Sequence, residues 1–306
     1  RLWRHSLTKD LGEVHRFAAL GAMPLFVSGN ADDGSVLVGT DSGKVVRAAP
    51  DGTTSVCVYS DGGWAEKVAV DASGRRACSL GKRVILLDAL GMMLAEFDDH
   101  PSTVTGLAFS DDGALLACSH YGGITLWPTS AAPAEPERLP WHGSHTMVTW
   151  SPDGRYLVTA MQENELHSWR MPERKSLRMS GYPAKIRSMS WTSDSRFLAV
   201  SGADTVTSWD FSGDGPSGRA PEEFGYVFNG VVTQVAAHPS DHQVAGGYND
   251  GTVLIGHITK GDAIIARGGD GAAITQLLWT PDGSALIAGT ATGAIATMSL
   301  RRKLAA

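Results

Sequence analysis

A turn motif that recurs at a nearly constant spacing constrains this chain more than any other sequence feature. Seven short segments rich in Pro, Asp, Gly and Ser each separate two apolar stretches, and they end at Gly34, Gly74, Gly113, Gly154, Ser195, His242 and Gly283. The successive intervals are 40, 39, 41, 41, 47 and 41 residues. Repeats of this length are typical of a four-stranded propeller blade. The longest interval indicates a loop insertion, which we place at residues 212–223.

Each repeat predicts its strands in the same order. Between Val104 and Trp127, "VTGLAFS" alternates as a first strand, "DDG" is a turn, "ALLACS" is a second strand, "HYGG" is a turn and "ITLW" is a third strand. A less regular fourth strand follows. Such a small sheet cannot bury both faces alone, so it must stack against neighbours. The sequence therefore predicts an all-β fold, a single seven-bladed β-propeller of four-stranded antiparallel blades.

The two ends of the chain suggest how the last blade of the predicted propeller is completed. The last repeat, from Ile274 to Leu300, has material for only three strands. We expect an N-terminal strand from the segment between Arg4 and Phe17 to close the last blade as its outer strand. The predicted propeller domain covers residues 1–302, and we interpret "KLAA" at 303–306 as a vector-derived tail.

Tryptophans mark the end of the third strand in three repeats, at Trp127, Trp169 and Trp209, and Asp210 follows the last of them. In these features the chain resembles the WD40-repeat family of β-propellers over residues 25–300, with divergent repeats that lack the usual Gly-His pair. Family members share a hydrogen-bond network among a turn aspartate, a histidine before the first strand, a Ser or Thr and this tryptophan. The resemblance implies turn roles for Asp204 and Asp250 and the histidine role for His100.

Composition narrows the possible partners. The formal charge of -6 gives no positive field that would attract nucleic acid, so none is expected as a partner. Three cysteines lack the spacing of a disulfide framework or of a paired metal site. No apolar run reaches the ~18 residues needed to span a bilayer, and no signal-peptide pattern opens the chain. We therefore expect a cytoplasmic monomer without membrane contact.

Familiar catalytic motifs are missing from the sequence. It contains no GxSxG, GxxxxGK[ST] or HExxH pattern. A GxGxxG match at 213–218 follows a predicted strand without opening an amphipathic helix, so we interpret it as a flexible loop. The predicted first strands also carry no carboxylates of the kind that a calcium-dependent hydrolase would place around a central channel. We predict that the chain is not an enzyme and has no cofactor.

Four histidines give the alternative prediction. His100 precedes the first strand of the third repeat, His120 lies in its second turn, and His142 and His145 lie in "WHGSH" before the fourth repeat. These loops are expected on one face, and neutral imidazole is a good zinc ligand. The alternative is thus a zinc-binding propeller or metal-dependent enzyme. The competing interpretation makes His100 or His142 a structural network residue and the others surface groups.

The family resemblance implies a non-catalytic scaffold or adaptor that binds a protein or peptide through the face bearing the loops before the first strands. Aromatic residues and arginine often dominate interface energies. The candidate partner-binding residues on that face are Trp64, Lys67, Trp141, Tyr182, Lys185, Arg187, Phe228, Asn229 and Tyr248. For Trp64 and Trp141, packing between blades is the alternative role.

Overall fold

The computed structural model describes residues 2–5, 14–18, 20–29, 34–60, 63–130, 135–171 and 173–300, with backbone only for the first two segments. The chain divides into two compact units, Arg1–Trp150 and Ser151–Ala306. Every regular element in the described segments is a β-strand, so the predicted all-β class is confirmed. Within these segments no helix is long and apolar enough to cross a membrane. The predicted tail at 303–306 lies outside the described residues, and a single domain over 1–302 stays a prediction.

The described residues of the first unit form thirteen strands: β1 (Leu2–His5), β2 (Val14–Ala18), β3 (Pro24–Gly29), β4 (Val36–Thr40), β5 (Lys44–Ala48), β6 (Thr54–Tyr59), β7 (Ala65–Val70), β8 (Arg76–Leu80), β9 (Arg83–Leu87), β10 (Met93–Phe97), β11 (Gly106–Phe109), β12 (Leu115–Pro128) and β13 (Glu137–Trp150).

In the second unit, the part that the structure describes contains fourteen strands: β14 (Tyr156–Met161), β15 (Leu166–Arg170), β16 (Lys175–Met179), β17 (Met189–Trp191), β18 (Phe197–Val200), β19 (Val206–Asp210), β20 (Glu222–Phe224), β21 (Val232–Ala237), β22 (Gln243–Tyr248), β23 (Val253–His257), β24 (Ala263–Arg267), β25 (Ile274–Trp279), β26 (Ala285–Thr290) and β27 (Ile295–Ser299).

Sequential strands pair antiparallel in blade-like sheets. Four sheets have four strands each, in the orders β3-β4-β5-β6, β10-β9-β8-β7, β17-β18-β19-β20 and β21-β22-β23-β24. Within the first unit β7 contacts β3 and β4, and within the second unit β25 contacts β21 and β22. Neighbouring sheets of a unit therefore stack through their first strands, and apolar clusters fill the space between them.

The predicted count of seven four-stranded blades closed by an N-terminal strand is wrong. The described residues form six blade sheets, because β12 of the predicted third blade pairs with β13 as far as Tyr121 and Ser144, and Ser144 belongs to the segment predicted before the fourth blade. β12 and β13 each span 14 residues, including positions predicted to be turns. The last sheet, β25-β26-β27, has three strands, and β1 pairs with β2 instead; among the described strands none from the N-terminal segment joins that sheet.

The repeated turn between first and second strands has a chemical basis. At Ser110, Ser151, Thr192 and Thr280 the hydroxyl donates to the aspartate two residues later at 2.6 Å. The same hydroxyl oxygen accepts a hydrogen bond from the backbone N–H of the residue three positions after that aspartate. In the turn that begins at Thr192, this donor is Phe197, at 3.0 Å. Gly113 and Ser195, which end two of these turns, adopt left-handed φ angles of 65° and 62°. Four of the seven predicted turns therefore share one local structure.

Candidate interaction surface and polar network

His100 forms part of a buried polar network, and its partners define its protonation. The indole N–H of Trp127 can only donate, and it donates to His100 Nε2 at 3.0 Å. On the other side of the ring, Nδ1 lies 2.7 Å from the carbonyl oxygen of Lys82, which can only accept. His100 is therefore neutral with its proton on Nδ1. Burial lowers the pKa of His100 below its usual 6.5, which favours this neutral form.

His120 makes the same type of arrangement. Its Nδ1 lies 2.9 Å from the Tyr121 carbonyl oxygen, and its Nε2 lies 2.9 Å from the Thr125 hydroxyl. The carbonyl requires a proton on Nδ1, so Nε2 accepts from Thr125. Burial lowers the pKa of His120 as well. The rings of His100 and His120 lie 6.3 Å apart, each held by its own partners.

The four predicted zinc ligands do not form a metal-binding group. A neutral imidazole has one nitrogen lone pair, and in both His100 and His120 it already accepts a hydrogen bond. His145 is buried, with Nε2 3.2 Å from the Trp141 carbonyl oxygen, whereas His142 is exposed and packs on the Trp141 ring. In the described parts of the chain no group of three or more potential ligands is placed to hold a metal ion. The structure gives no support to the zinc alternative.

Tyr182 occupies in the second unit the position that His100 holds in the first. Tyr182 precedes Trp209 by 27 residues, the same interval that separates His100 from Trp127. The Trp209 indole donates to the Tyr182 hydroxyl at 2.7 Å, and that hydroxyl lies 3.2 Å from the Thr207 hydroxyl. Burial raises the pKa of Tyr182 to about 12. Sequence reasoning placed Tyr182 at an interface and missed this role, although the repeated interval was visible.

Tyr248, another predicted contact residue, is fully buried. Its hydroxyl donates to the Gly225 carbonyl oxygen, and burial raises its pKa. The ring belongs to an apolar cluster that includes Phe224 and Leu254. Tyr182 and Tyr248 are therefore buried structural residues and do not present their side chains to solvent.

The loops before the first strands of the second unit are joined by hydrogen bonds into a continuous surface. The N–H of Ala184 donates to the Gly202 carbonyl at 3.0 Å, and the N–H of Gly202 donates to the Val232 carbonyl at 3.0 Å. Asn249 bonds Val231 twice, once through its backbone N–H and once through its side-chain oxygen. We call this surface, residues 182–187, 202–204, 226–231 and 249, the loop platform.

The loop platform carries four of the predicted contact residues in exposed positions. Phe228 is 78% exposed, and Asn229 beside it is exposed with a left-handed φ of 56°. Arg187 and Lys185 are also exposed, and the Lys185 ammonium donates to Gln162 at 2.6 Å. Tyr226, which the sequence analysis did not select, is exposed on the same loop. The platform thus combines aromatic and cationic side chains.

The first unit carries the other three candidates. Trp64 is exposed and lines an open pocket of about 570 Å³ together with Asp41, Glu66 and Thr103. Lys67 is half-buried, with its ammonium 5.6 Å from the centre of the Phe26 ring. Trp141 is half-buried in β13, against His142. Of these three, Trp64 is the one that presents most of its side chain to solvent.

Comparison with known proteins places this geometry in a family context. The WD40 model, described as WD domain, G-beta repeat, matches residues 91–128 and 174–212. The first match contains His100 and Trp127, and the second contains Tyr182 and Trp209. Telomerase protein component 1 of Rattus norvegicus is 24% identical over 228 residues, which is 73% of this chain and 8% of that protein. The chain therefore spans only a small part of this relative.

Two solved structures are similar over most of their length. The crystal structure of RRP9 WD40 repeats has a TM-score of 0.69 and 16% identity, with 93% of this chain and 96% of that chain covered. A chain of the crystal structure of the mitotic checkpoint complex has a TM-score of 0.74 and 16% identity, with 93% and 94% covered. At this identity the likeness establishes the β-propeller fold. The predicted resemblance is confirmed for the two segments that the WD40 model matches, and the fold of the chain is that of a β-propeller.

Proposed function

We propose that the chain is a non-catalytic scaffold that binds a protein or peptide partner through its loop-bearing face, with the loop platform as the main contact surface of the second unit. The observation that carries this proposal is Phe228. Its side chain is 78% exposed, and Tyr226 on the same loop is 63% exposed, so this loop presents two aromatic groups of the kind that often anchor protein interfaces.

The loop that holds Phe228 is well suited to binding. The N–H of Gly230 donates to the Val227 carbonyl at 2.9 Å, and Asn249 holds Val231 from the neighbouring turn. A loop that is already ordered loses little conformational entropy when a partner binds. Arg187 and Lys185 add cationic groups, so the preferred partner segment is apolar with acidic residues at its edge.

The relatives are consistent with this role. One of the similar structures is a chain of a checkpoint complex, and the curated relative is named as a component of telomerase. Propeller folds serve many roles, so the fold alone does not identify the partner. The specific proposal for this chain rests on the exposed residues of the loop platform.

Affinity capture tests the proposal. The full chain is used as bait in an extract of its source cells, and retained proteins are identified by mass spectrometry. We expect a partner that is lost with the Phe228→Ala/Arg187→Ala variant and retained with Ile265→Ala, an exposed apolar residue on the outer strand β24. Unchanged capture by the platform variant, or equal loss with the control, would place the interface elsewhere.

A further inference from the structure

Five exposed apolar side chains lie on the outermost strands of the first unit, on β6, β10 and the turn before β10. We call this group, Val56, Leu90, Met92, Met93 and Leu94, the rim patch. Between 51% and 85% of each residue is exposed. The turn before β10 lies against β6 here, since a Cβ atom at Gly91 would lie 2.9 Å from the Cys57 sulfur. Single exposed apolar residues are common on soluble proteins, but a contiguous group marks an interaction site.

The turn that carries Leu90 and Met92 is rigidly braced. One carboxylate oxygen of Asp88 accepts the N–H of Leu90 at 2.9 Å and that of Met92 at 2.8 Å. The backbone N–H of Asp88 donates to the Met92 carbonyl at 2.8 Å. The exposed side chains therefore project from an ordered backbone, and binding needs little further ordering.

A β-bulge exposes neighbouring side chains on the same strand. Met93 pairs with Leu87 and Ala95 pairs with Leu86, so Leu94 is the extra residue. Regular strands alternate their side chains between faces, whereas a bulge redirects one of them. Met93 and Leu94 are consequently both exposed. A bulged edge is also a poor template for another strand, so the rim patch offers side chains for contact and not strand pairing.

The segment that carries Leu90, Met92, Met93 and Leu94 has a negative net charge. Residues 88–99 contain Asp88, Glu96, Asp98 and Asp99 and no Lys or Arg. Glu96 pairs with Arg83 at 2.8 Å and Asp99 pairs with Arg138 at 2.5 Å, which offsets two of the four charges. A partner with basic residues would therefore complement this surface.

We propose that the rim patch docks a basic amphipathic helical segment of a protein partner. Methionine side chains are flexible and polarisable, and they adapt to apolar helix faces of different shape. A helix presents apolar residues along one side and can carry lysines on its flanks, which matches an apolar patch with an acidic margin. This surface is separate from the loop platform, so loss of either binding activity leaves the other testable.

The test uses the full chain with ¹³C-methyl-labelled methionine and a synthetic amphipathic helical peptide of leucine and lysine. We expect saturable shifts of the Met92 and Met93 methyl signals, and no shift of Met23, which is 59% exposed in the same unit. Met92→Ser/Met93→Ser should raise the peptide Kd about tenfold or more, whereas Met23→Ser should leave it unchanged.

Control ligands separate the possible occupants. A peptide of leucine and glutamate should bind much more weakly than the basic peptide, and vesicles of phosphatidylcholine and phosphatidylserine should leave the methyl signals unchanged. Equal binding of the acidic peptide, binding of the vesicles, or shifts that include Met23 would overturn the proposal. It would also be overturned by self-association of the chain, seen by analytical ultracentrifugation, that Met92→Ser/Met93→Ser abolishes.

Discussion

The indole Nε1 of Trp127 donates a hydrogen bond to Nε2 of His100 at 3.0 Å, and this contact fixes His100 as a neutral ring. The second unit repeats the relationship at the same interval with a different acceptor, the hydroxyl of Tyr182 for Trp209. A tryptophan donor thus requires an acceptor at this position, and histidine or tyrosine can supply it.

A double-mutant cycle should measure the bond between His100 and Trp127. His100→Ala and Trp127→Phe should each lower the free energy of unfolding, with a coupling energy of about 1 kcal/mol because both changes remove the same bond. Urea denaturation of the two single variants and the double variant gives this value. His142 is exposed, so His142→Ala combined with Trp127→Phe should be additive; equal coupling in both cycles would contradict the assignment.

Tyr182→Phe should destabilise the chain by about 1–3 kcal/mol, because it leaves the Trp209 N–H without its acceptor in a buried site. The matched control is Tyr226→Phe, which removes a hydroxyl from an exposed tyrosine and should change stability by less than about 0.5 kcal/mol. Chemical denaturation measures both. Equal effects of the two substitutions would argue against a structural role for Tyr182.

Stability should decrease as the pH falls below about 6.5. Burial lowers the pKa values of His100 and His120 in the folded chain, so the unfolded chain binds more protons in this range. Their contribution is complete above pH 6.5 and is lost as the pH falls through their lowered folded values. His100→Gln should flatten the dependence of the unfolding free energy on pH in this window, measured by urea denaturation at a series of pH values. A steeper dependence in the His100 variant would contradict the sign.

Zinc should leave the imidazole signals of His100 and His120 unchanged in NMR spectra. Their accepting nitrogens are already bonded to Trp127 and Thr125, and metal binding would have to break these bonds. A titration at micromolar zinc checks this expectation. Saturable shifts of both rings would restore the metal-binding alternative.

Local features of the fold were predictable from the sequence, while long-range pairing was less so. The Ser/Thr-x-Asp turns depend on contacts within a few residues, so their spacing was readable. The blade count was wrong because β12 and β13 pair as far as Tyr121 and Ser144, a long-range contact that the repeat spacing does not encode. The chain does reverse at Gly122 and Gly123, whose φ angles are 93° and 135°, since the N–H of Thr129 donates to the Ala114 carbonyl oxygen at 3.0 Å. The pairing of β1 with β2 likewise depends on contacts that composition does not encode.

Some of the predicted contact residues are exposed, as expected, and others are buried by long-range contacts. Phe228, Arg187 and Trp64 were selected as surface residues, and the structure leaves them exposed. Tyr182 and Tyr248 were selected as aromatic residues in loops of the predicted binding face, but both are buried, with hydrogen-bond partners far along the chain at Trp209 and Gly225. The rim patch was not identified, because a strand bulge decides whether Leu94 faces solvent.

The affinity of the captured partner for the Phe228→Ala chain tests the scaffold proposal most directly. Isothermal calorimetry of the purified pair should show a Kd at least about 30-fold higher than that of the unaltered chain, which corresponds to roughly 2 kcal/mol for an aromatic anchor residue. Ile265→Ala should give the Kd of the unaltered chain. An unchanged Kd for Phe228→Ala would contradict binding through the loop platform.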